Sequence, residues 1–321
     1  MQTHNYDNKA NFTGPLFIFG MARSGTTYLR RLMNSVPSIN LMYETKIIKE
    51  AYKKYKNDNI LESIESFYNF IDYLKNRELK VTGKSSILFN QDKSYYNNLF
   101  YNFRSHNNFA KFCEDWFSLT ITDNGIWGNK LVDPEEFLLL LNIFKNAKFI
   151  IIIRDVRSVV VSNKDFFGSD YILSALRWKR IIQMLTILEN GEFDNLLFIR
   201  YEDLVKDTTN VLKKISFFID IDIPLEILNN NIPHTKSLNK WKKRLNKKEL
   251  CKIEEMCMIE MLNHGYKPEI AKSYKKISFI EFSIHLLIHI VGRLRKQIGG
   301  RRGLYSINSL IRIVKLYKKL T

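Results

Sequence analysis

The chain is poor in cysteine. Cys113, Cys251 and Cys257 are the three in 321 residues, and their spacing matches neither a disulfide framework nor paired zinc ligands. That usage fits a reducing compartment. There is no run of about 18 uncharged apolar residues, so no membrane-spanning helix is expected. The start, MQTHNYDNKANFTG, lacks an apolar stretch, so a signal peptide is not expected either. The expectation is a cytoplasmic protein, peripheral on the inner face of the membrane. Internal repeats and low-complexity linkers are absent. Acidic residues are scarce at one end: residues 272–321 hold Glu281 as their one acid against twelve Lys/Arg, a net +11 that leaves +6 of the chain's +17 for the rest. Such a surface favours anionic partners. Aromatic–basic interleaving and reader motifs are missing, so nucleic acid is not an expected partner.

What is present suits a globular enzyme. At 45% hydrophobic and 26% charged residues, there is ample material for one large α/β domain or two small ones. PLFIFG (15–20) and AKFIIIIRD (147–155) are unbroken apolar runs, as expected of strands buried on both faces of a parallel sheet. NLLFIRYEDL (195–204) is a third strand, turning helical at Tyr201. Helical spacing follows from Ser24, over 45–76, from Pro134 to about Lys145, from Asp155 to about Lys164, and over 172–190, 207–219 and 247–263. This alternation predicts an α/β fold: a P-loop-like, doubly wound central parallel sheet flanked by helices, with a helical C-terminal extension. The boundary falls near 268–276, giving a domain over 1–271 and a basic tail over 272–321. Residues 77–125, rich in Asn, Ser and Tyr, read as a cap or substrate-facing insert.

After the first strand comes GMARSGTT, residues 20–27. Gly20, Gly25 and Thr27 fit a phosphate-binding loop, but Thr26 stands where a Walker loop carries lysine. Backbone amides over Ser24, Gly25, Thr26 and Thr27, at a helix N-terminus, still suit a phosphate. The usual grip on β- and γ-phosphates is gone, and Arg23 moves the cation to the mouth of the turn. A plain glycine turn is the structural alternative. A second candidate follows the strand over 147–153. Arg154 stands at its carboxyl end, where open α/β sheets bind ligands, and Ser162 lies eight residues on, about two helical turns. Here the alternative is an Asp155 helix cap beside a solvated Arg154. Two phosphate sites on one sheet suggest a nucleotide carrying 3′- and 5′-phosphates.

On these residues the sequence resembles the sulfotransferases that use 3′-phosphoadenosine 5′-phosphosulfate (PAPS). The resemblance covers roughly residues 14–268, with IRYEDL (199–204) and, more weakly, KSLNKW (236–241). It implies that Arg23, Ser24, Gly25, Thr26 and Thr27 hold the 5′-phosphosulfate, that Arg154 and Ser162 hold the 3′-phosphate, and that Tyr201 touches the cofactor. The sequence is most similar to tyrosylprotein sulfotransferases and related bacterial sulfotransferases. Their loop arginine is followed twenty-one residues later by a glutamate base; here that residue is Glu44, in YETK. Asn129-Lys130 resembles the pair those enzymes place near the sulfuryl group. The implied catalytic set is Glu44, Arg23 and Lys130. A further family arginine falls on Phe166, for which Arg157 could compensate. No metal is expected. The expected acceptor is a hydroxyl of a saccharide, glycolipid or tyrosine. The alternatives are a P-loop kinase or nucleotide hydrolase, which Thr26 argues against, and a noncatalytic polyanion-binding protein.

Residues 277–296 carry Ser278, Glu281, His285, His289, Arg293 and Lys296 as a polar stripe on an otherwise apolar helix. Residues 304–320 repeat the theme. An apolar face beside clustered Lys/Arg suits an anionic membrane surface; helices packed on protein are the alternative. His285 and His289 have the spacing of a metal pair, without an evident third ligand.

Overall fold

A computed structural model describes residues 12, 14–82, 86–120, 125–230, 235 and 238–298. Five strands form one sheet in the order β2-β3-β1-β4-β5: β1 (Leu16–Phe19), β2 (Ile39–Tyr43), β3 (Ile126–Leu131), β4 (Lys148–Ile153) and β5 (Leu196–Arg200). Every pairing is parallel, as required when each connection is a helical crossover. β1 lies between β3 and β4, with Phe17 opposite both Asn129 and Phe149. Its four side chains are all fully buried. Alternate residues enter two cores: Phe17 and Phe19 on one face, Leu16 and Ile18 on the other. A two-sided core is what the unbroken apolar runs demand.

The strand-to-helix turns build the site. α1 (Thr26–Met33) leaves β1, α2 (Ile47–Asn57) follows β2, and α3 is Ile64–Thr82. The segment read as an insert contains α4 (Lys93–His106) and α5 (Phe109–Phe117). Phe103 stacks on Phe112 at 4.3 Å and Phe117 stacks on Trp127 of β3 at 5.1 Å, joining these helices to the sheet's own core. α6 (Pro134–Ile143) begins with proline behind an Asp133 cap. After β4 come α7 (Val156–Phe167) and α8 (Tyr171–Glu189), and after β5 come α9 (Tyr201–Lys206) and α10 (Thr208–Ile219). α11 (Lys247–Asn263) starts with a reciprocal Asn246–Glu249 capping box.

α12 (Phe279–Ile298) closes the described chain and packs back on α7 and α8. Its polar stripe faces inward. His289 Nδ1 accepts from the Asp170 backbone N–H at 3.2 Å, and His285 Nδ1 lies 3.1 Å from the Asp170 carboxylate. The two histidines thus share one aspartate at the start of α8. Among the described residues no group of His, Cys, Asp or Glu could hold a metal. The expected helix over 304–320 lies outside the described residues.

Candidate active site

The loop after β1 turns tightly, with the Ser24 amide donating to the Met21 carbonyl at 3.0 Å. Gly25 has φ +99°, and a Cβ there would lie 2.2 Å from the Tyr201 ring. Glycine is therefore required twice, for the left-handed backbone and for the close approach of α9. Arg23 also has a positive φ, 74°. Ser24 and Thr26 are buried, whereas Arg23 and Thr27 are exposed.

Arg154 is joined to this loop. Its Nη1 donates to the Arg23 carbonyl at 2.8 Å, and its guanidinium lies over the Tyr201 ring at 4.1 Å. The Trp178 indole N–H donates 2.8 Å to the Arg154 carbonyl, fixing the strand end from below. Arg154 is 6% exposed, so the solvated alternative is excluded, although Asp155 does cap α7 by accepting from the Arg157 amide. Burial pushes the Arg154 guanidinium down from its usual value; Tyr201 and Glu202 oppose the shift, while Arg23 adds to it. Arg23 bridges to the second candidate group. Its Nε donates to Ser162 Oγ at 3.0 Å, and its guanidinium covers the Phe166 ring at 4.6 Å. The structure thus brings Arg23, Ser24–Thr27, Arg154, Ser162 and Tyr201 together.

Arg157 is engaged elsewhere. It pairs with Asp155 at 2.7 Å and Glu254 at 2.8 Å and lies over Trp241 at 4.2 Å. It does not take the place of the arginine missing at Phe166. Burial alone would raise the Glu254 carboxyl, but the amides of Glu269, Ile270 and Ala271 together with Arg157 outweigh it and hold the group below its usual range. A cavity of about 300 Å³ opens beside this network, lined in part by Asp155, Arg157, Glu202, Trp241 and Tyr266. It adjoins Arg154 and Tyr201 along the chain but is lined by neither.

On the other side of the loop, Glu44 forms an ion pair with Lys130 from the end of β3. Lys130 is 2% exposed and Glu44 about a third. Burial lowers the Lys130 pKa; Glu44 opposes this, and the positive charges of Arg30 and Arg23 reinforce it. The Lys130 ammonium also sits 4.4 Å from the centre of the Tyr43 ring. Glu44 does not belong to a helix N-terminus, since α2 begins at Ile47 behind Lys46. Glu44 and Lys46 both have positive φ, 34° and 55°. With Arg23, three of the five non-glycine residues of this kind among the described residues flank the site. The other two, Asn107 and Asp220, cap the ends of α4 and α10. Strain of this sort persists only where surrounding structure fixes it, and it concentrates at functional sites.

Two neighbours, Arg30 and Glu136, were missed in the sequence, and Asn129 was seen there only as the companion of Lys130. Arg30 donates to the Met42 carbonyl at 3.1 Å and reaches the Tyr43 ring at 5.6 Å. It lies on the helix that the loop opens, and only its nearness to Arg23 in the sequence could have signalled it. Glu136 is buried near Glu44, Asp133, Lys46 and Lys49; burial first, then the charge of Asp133, raises its pKa to about 7. Asn129 is fully buried, and neither carboxamide atom has a hydrogen-bond partner among the described residues. Chemically the site offers a backbone cradle and three nearby cations, Arg23, Arg154 and Lys130, with one carboxylate at the loop's far side. That donor set fits a dianionic or more highly charged phosphate compound.

Comparison with known proteins agrees with this geometry. A family model described as "Sulfotransferase family" matches residues 15–224. A curated relative, protein-tyrosine sulfotransferase A of Caenorhabditis elegans, is 24% identical over 229 residues, covering 67% of this chain and 52% of that protein. The chain therefore spans about half the length of that relative. Among solved structures, the sulfotransferase domain from the curacin biosynthetic pathway aligns with a TM-score of 0.52 at 18% identity, covering 80% of this chain and 99% of that one. The sulfotransferase domain of the Synechococcus PCC 7002 olefin synthase aligns at 0.51 and 16% identity, covering 83% and 99%. At these identities the two structures speak for the fold alone.

Proposed function

Because this chain belongs to the sulfotransferase family, we propose that it moves the sulfuryl group of PAPS to an acceptor hydroxyl, that of a saccharide or glycolipid. The observation that carries this reading is the ion pair between Glu44 and Lys130 beside a phosphate-type loop whose Arg23 carbonyl is held by Arg154.

The amides of Ser24–Thr27 cradle the 5′-phosphate at the start of α1. Arg154 and Ser162 take the 3′-phosphate, and Tyr201 packs beside the nucleoside. Glu44 accepts the proton of the acceptor hydroxyl. The acceptor oxygen forms a bond to sulfur as the bond from sulfur to the 5′-phosphate oxygen breaks. The products are a sulfate ester and 3′,5′-adenosine bisphosphate. Lys130 and Arg23 offset the charge that grows on the peripheral and leaving oxygens. Placement in line and charge stabilisation supply most of the rate in such transfers. Glu44 pairs with Lys130 and Arg23 with Ser162. Binding of the donor redirects both cations to the phosphosulfate and frees the carboxylate for the acceptor.

A tyrosine hydroxyl is the second reading, and the name of the Caenorhabditis elegans relative is what favours it. The test has two parts. Thermal shift with 3′,5′-adenosine bisphosphate and with ATP, each with and without magnesium, asks which nucleotide the loop takes. Stabilisation by the bisphosphate alone is expected; stabilisation by ATP alone would overturn the reading in favour of a kinase. Transfer of labelled sulfur from PAPS to a panel of oligosaccharides, glycolipids and tyrosine peptides then assigns the acceptor. Label in peptide only would replace the saccharide reading.

A further inference from the structure

α12 is amphipathic in the reverse of the usual sense. Its polar stripe is committed to the protein, through Asp170 to His285 and His289 and through Lys252 to Glu281 at 2.8 Å. Phe282 is buried with them. Gly292 sits so close to Gly168 that a Cβ there would lie 2.2 Å from the Gly168 carbonyl oxygen, which pins the helix's rotation. The opposite side presents Ile280, Ile284, Leu287, Ile288, Val291 and Leu294, all exposed, with Ile280 at 72% and Leu287 at 64%. Their spacing of three and four makes one stripe along a helix about 30 Å long. A contiguous exposed apolar stripe of this size marks an interaction surface.

Charge identifies the partner. Over residues 272–298, the described segment that carries the stripe has six Lys/Arg and one acid, and that acid, Glu281, is paired with Lys252 and accepts from the Ser278 amide. Lys272 and Lys276, just before the helix, and Arg295, in its last turn, are exposed. An apolar face with exposed basic residues near both ends of its helix, and with the one acid of that helix paired, complements a bilayer of anionic phospholipid. A second copy of the chain would bring the same positive charge against itself. No described helix is long and apolar enough to cross a membrane, so the helix would lie in the plane of the surface. We propose that α12 docks this protein on anionic lipid, with Ile284, Leu287 and Val291 entering the boundary between headgroups and acyl chains. This stands independently of which hydroxyl the enzyme modifies.

The test uses the full chain and vesicles of mixed phosphatidylglycerol and phosphatidylcholine, with pure phosphatidylcholine as control. Co-sedimentation with the anionic vesicles is expected, at least about tenfold above the control and reduced by salt. The triple variant I284S/L287S/V291S should lose at least about tenfold of that binding while keeping its melting temperature, since all three side chains are exposed. L287C should react with a polar maleimide in solution and be shielded by anionic vesicles. Failure of the wild-type chain to sediment overturns the proposal. So does an unchanged triple variant, which would assign binding to the basic residues alone. Shielding of L287C without vesicles overturns it as well, because another part of the chain or a second copy would then cover the face.

Discussion

Arg154 donates from Nη1 to the backbone carbonyl of Arg23 at 2.8 Å while its guanidinium lies over the Tyr201 ring at 4.1 Å. One side chain thus joins the ends of β1, β4 and β5. A lysine could supply the charge but not the planar fork that makes both contacts together. Arg154→Lys should weaken 3′,5′-adenosine bisphosphate binding by roughly tenfold to a hundredfold in calorimetry, about 1.4–2.7 kcal/mol. Unaltered affinity would separate Arg154 from the nucleotide and leave it a purely structural brace.

Glu44→Gln keeps the size of the side chain and removes the base. The expected outcome is a fall in kcat of about a hundredfold to a thousandfold or more, with bisphosphate affinity within about twofold of wild type, because the proposed mechanism gives Glu44 the acceptor's proton and no contact with the nucleotide. Lys130→Ala should lower kcat on a similar scale. If E44Q lowers nucleotide affinity and leaves kcat alone, the carboxylate positions the donor rather than taking the proton.

Gly25→Ala faces two separate obstacles, the left-handed φ of +99° and a Cβ only 2.2 Å from the Tyr201 ring. Removing the ring with Tyr201→Ala relieves the second and not the first. Gly25→Ala should therefore cost less in the Tyr201→Ala background than in the wild type, with roughly 1 kcal/mol or more of backbone strain remaining. Urea denaturation of the four proteins measures the coupling. Strict additivity would mean that the loop moves away from α9 without resistance.

The large features were legible because each left a strong local signature. The isoleucines of β4 could be buried only between two helical layers, and the run from Gly20 to Thr27 placed the loop correctly. β2 was not seen. It is a five-residue edge strand whose burial fades toward Tyr43, and INLMY runs without a break into the helical pattern of α2. Residues 93–117 form helices whose aromatic residues pack on several sides, which blurs their period. Glu44 became visible through spacing shared with a known family, since a lone acid before a helix has a commonplace explanation in the helix dipole. Arg30 and Tyr43 join Lys130 only once β2 and β3 are paired, a relation between distant segments. For α12 the stripe pattern was right, but the sequence cannot say which stripe faces the protein. Asp170 settles that, more than a hundred residues away along the chain.

Glu136 makes the sharpest pH-dependent case. It is 2% exposed, and its Oε1 has no hydrogen-bond partner among the described residues. Burial and the neighbouring Asp133 hold its carboxyl up at about 7, against an ordinary value of 4.5, despite Lys46 and Lys49. At pH below about 4.5 the group is protonated in both folded and unfolded chains and contributes no pH dependence. As pH rises from about 4.5 to 7 the unfolded chain loses this proton while the folded chain retains it, so stability falls. Above about 7 the penalty is complete and constant, at most about 3 kcal/mol. Glu136→Gln removes the ionisation. Its stability relative to wild type should therefore climb between about pH 5 and pH 7 and then level off, as read from urea midpoints across that range. A difference that stays flat with pH would mean that Glu136 ionises as freely in the folded protein as in the unfolded chain.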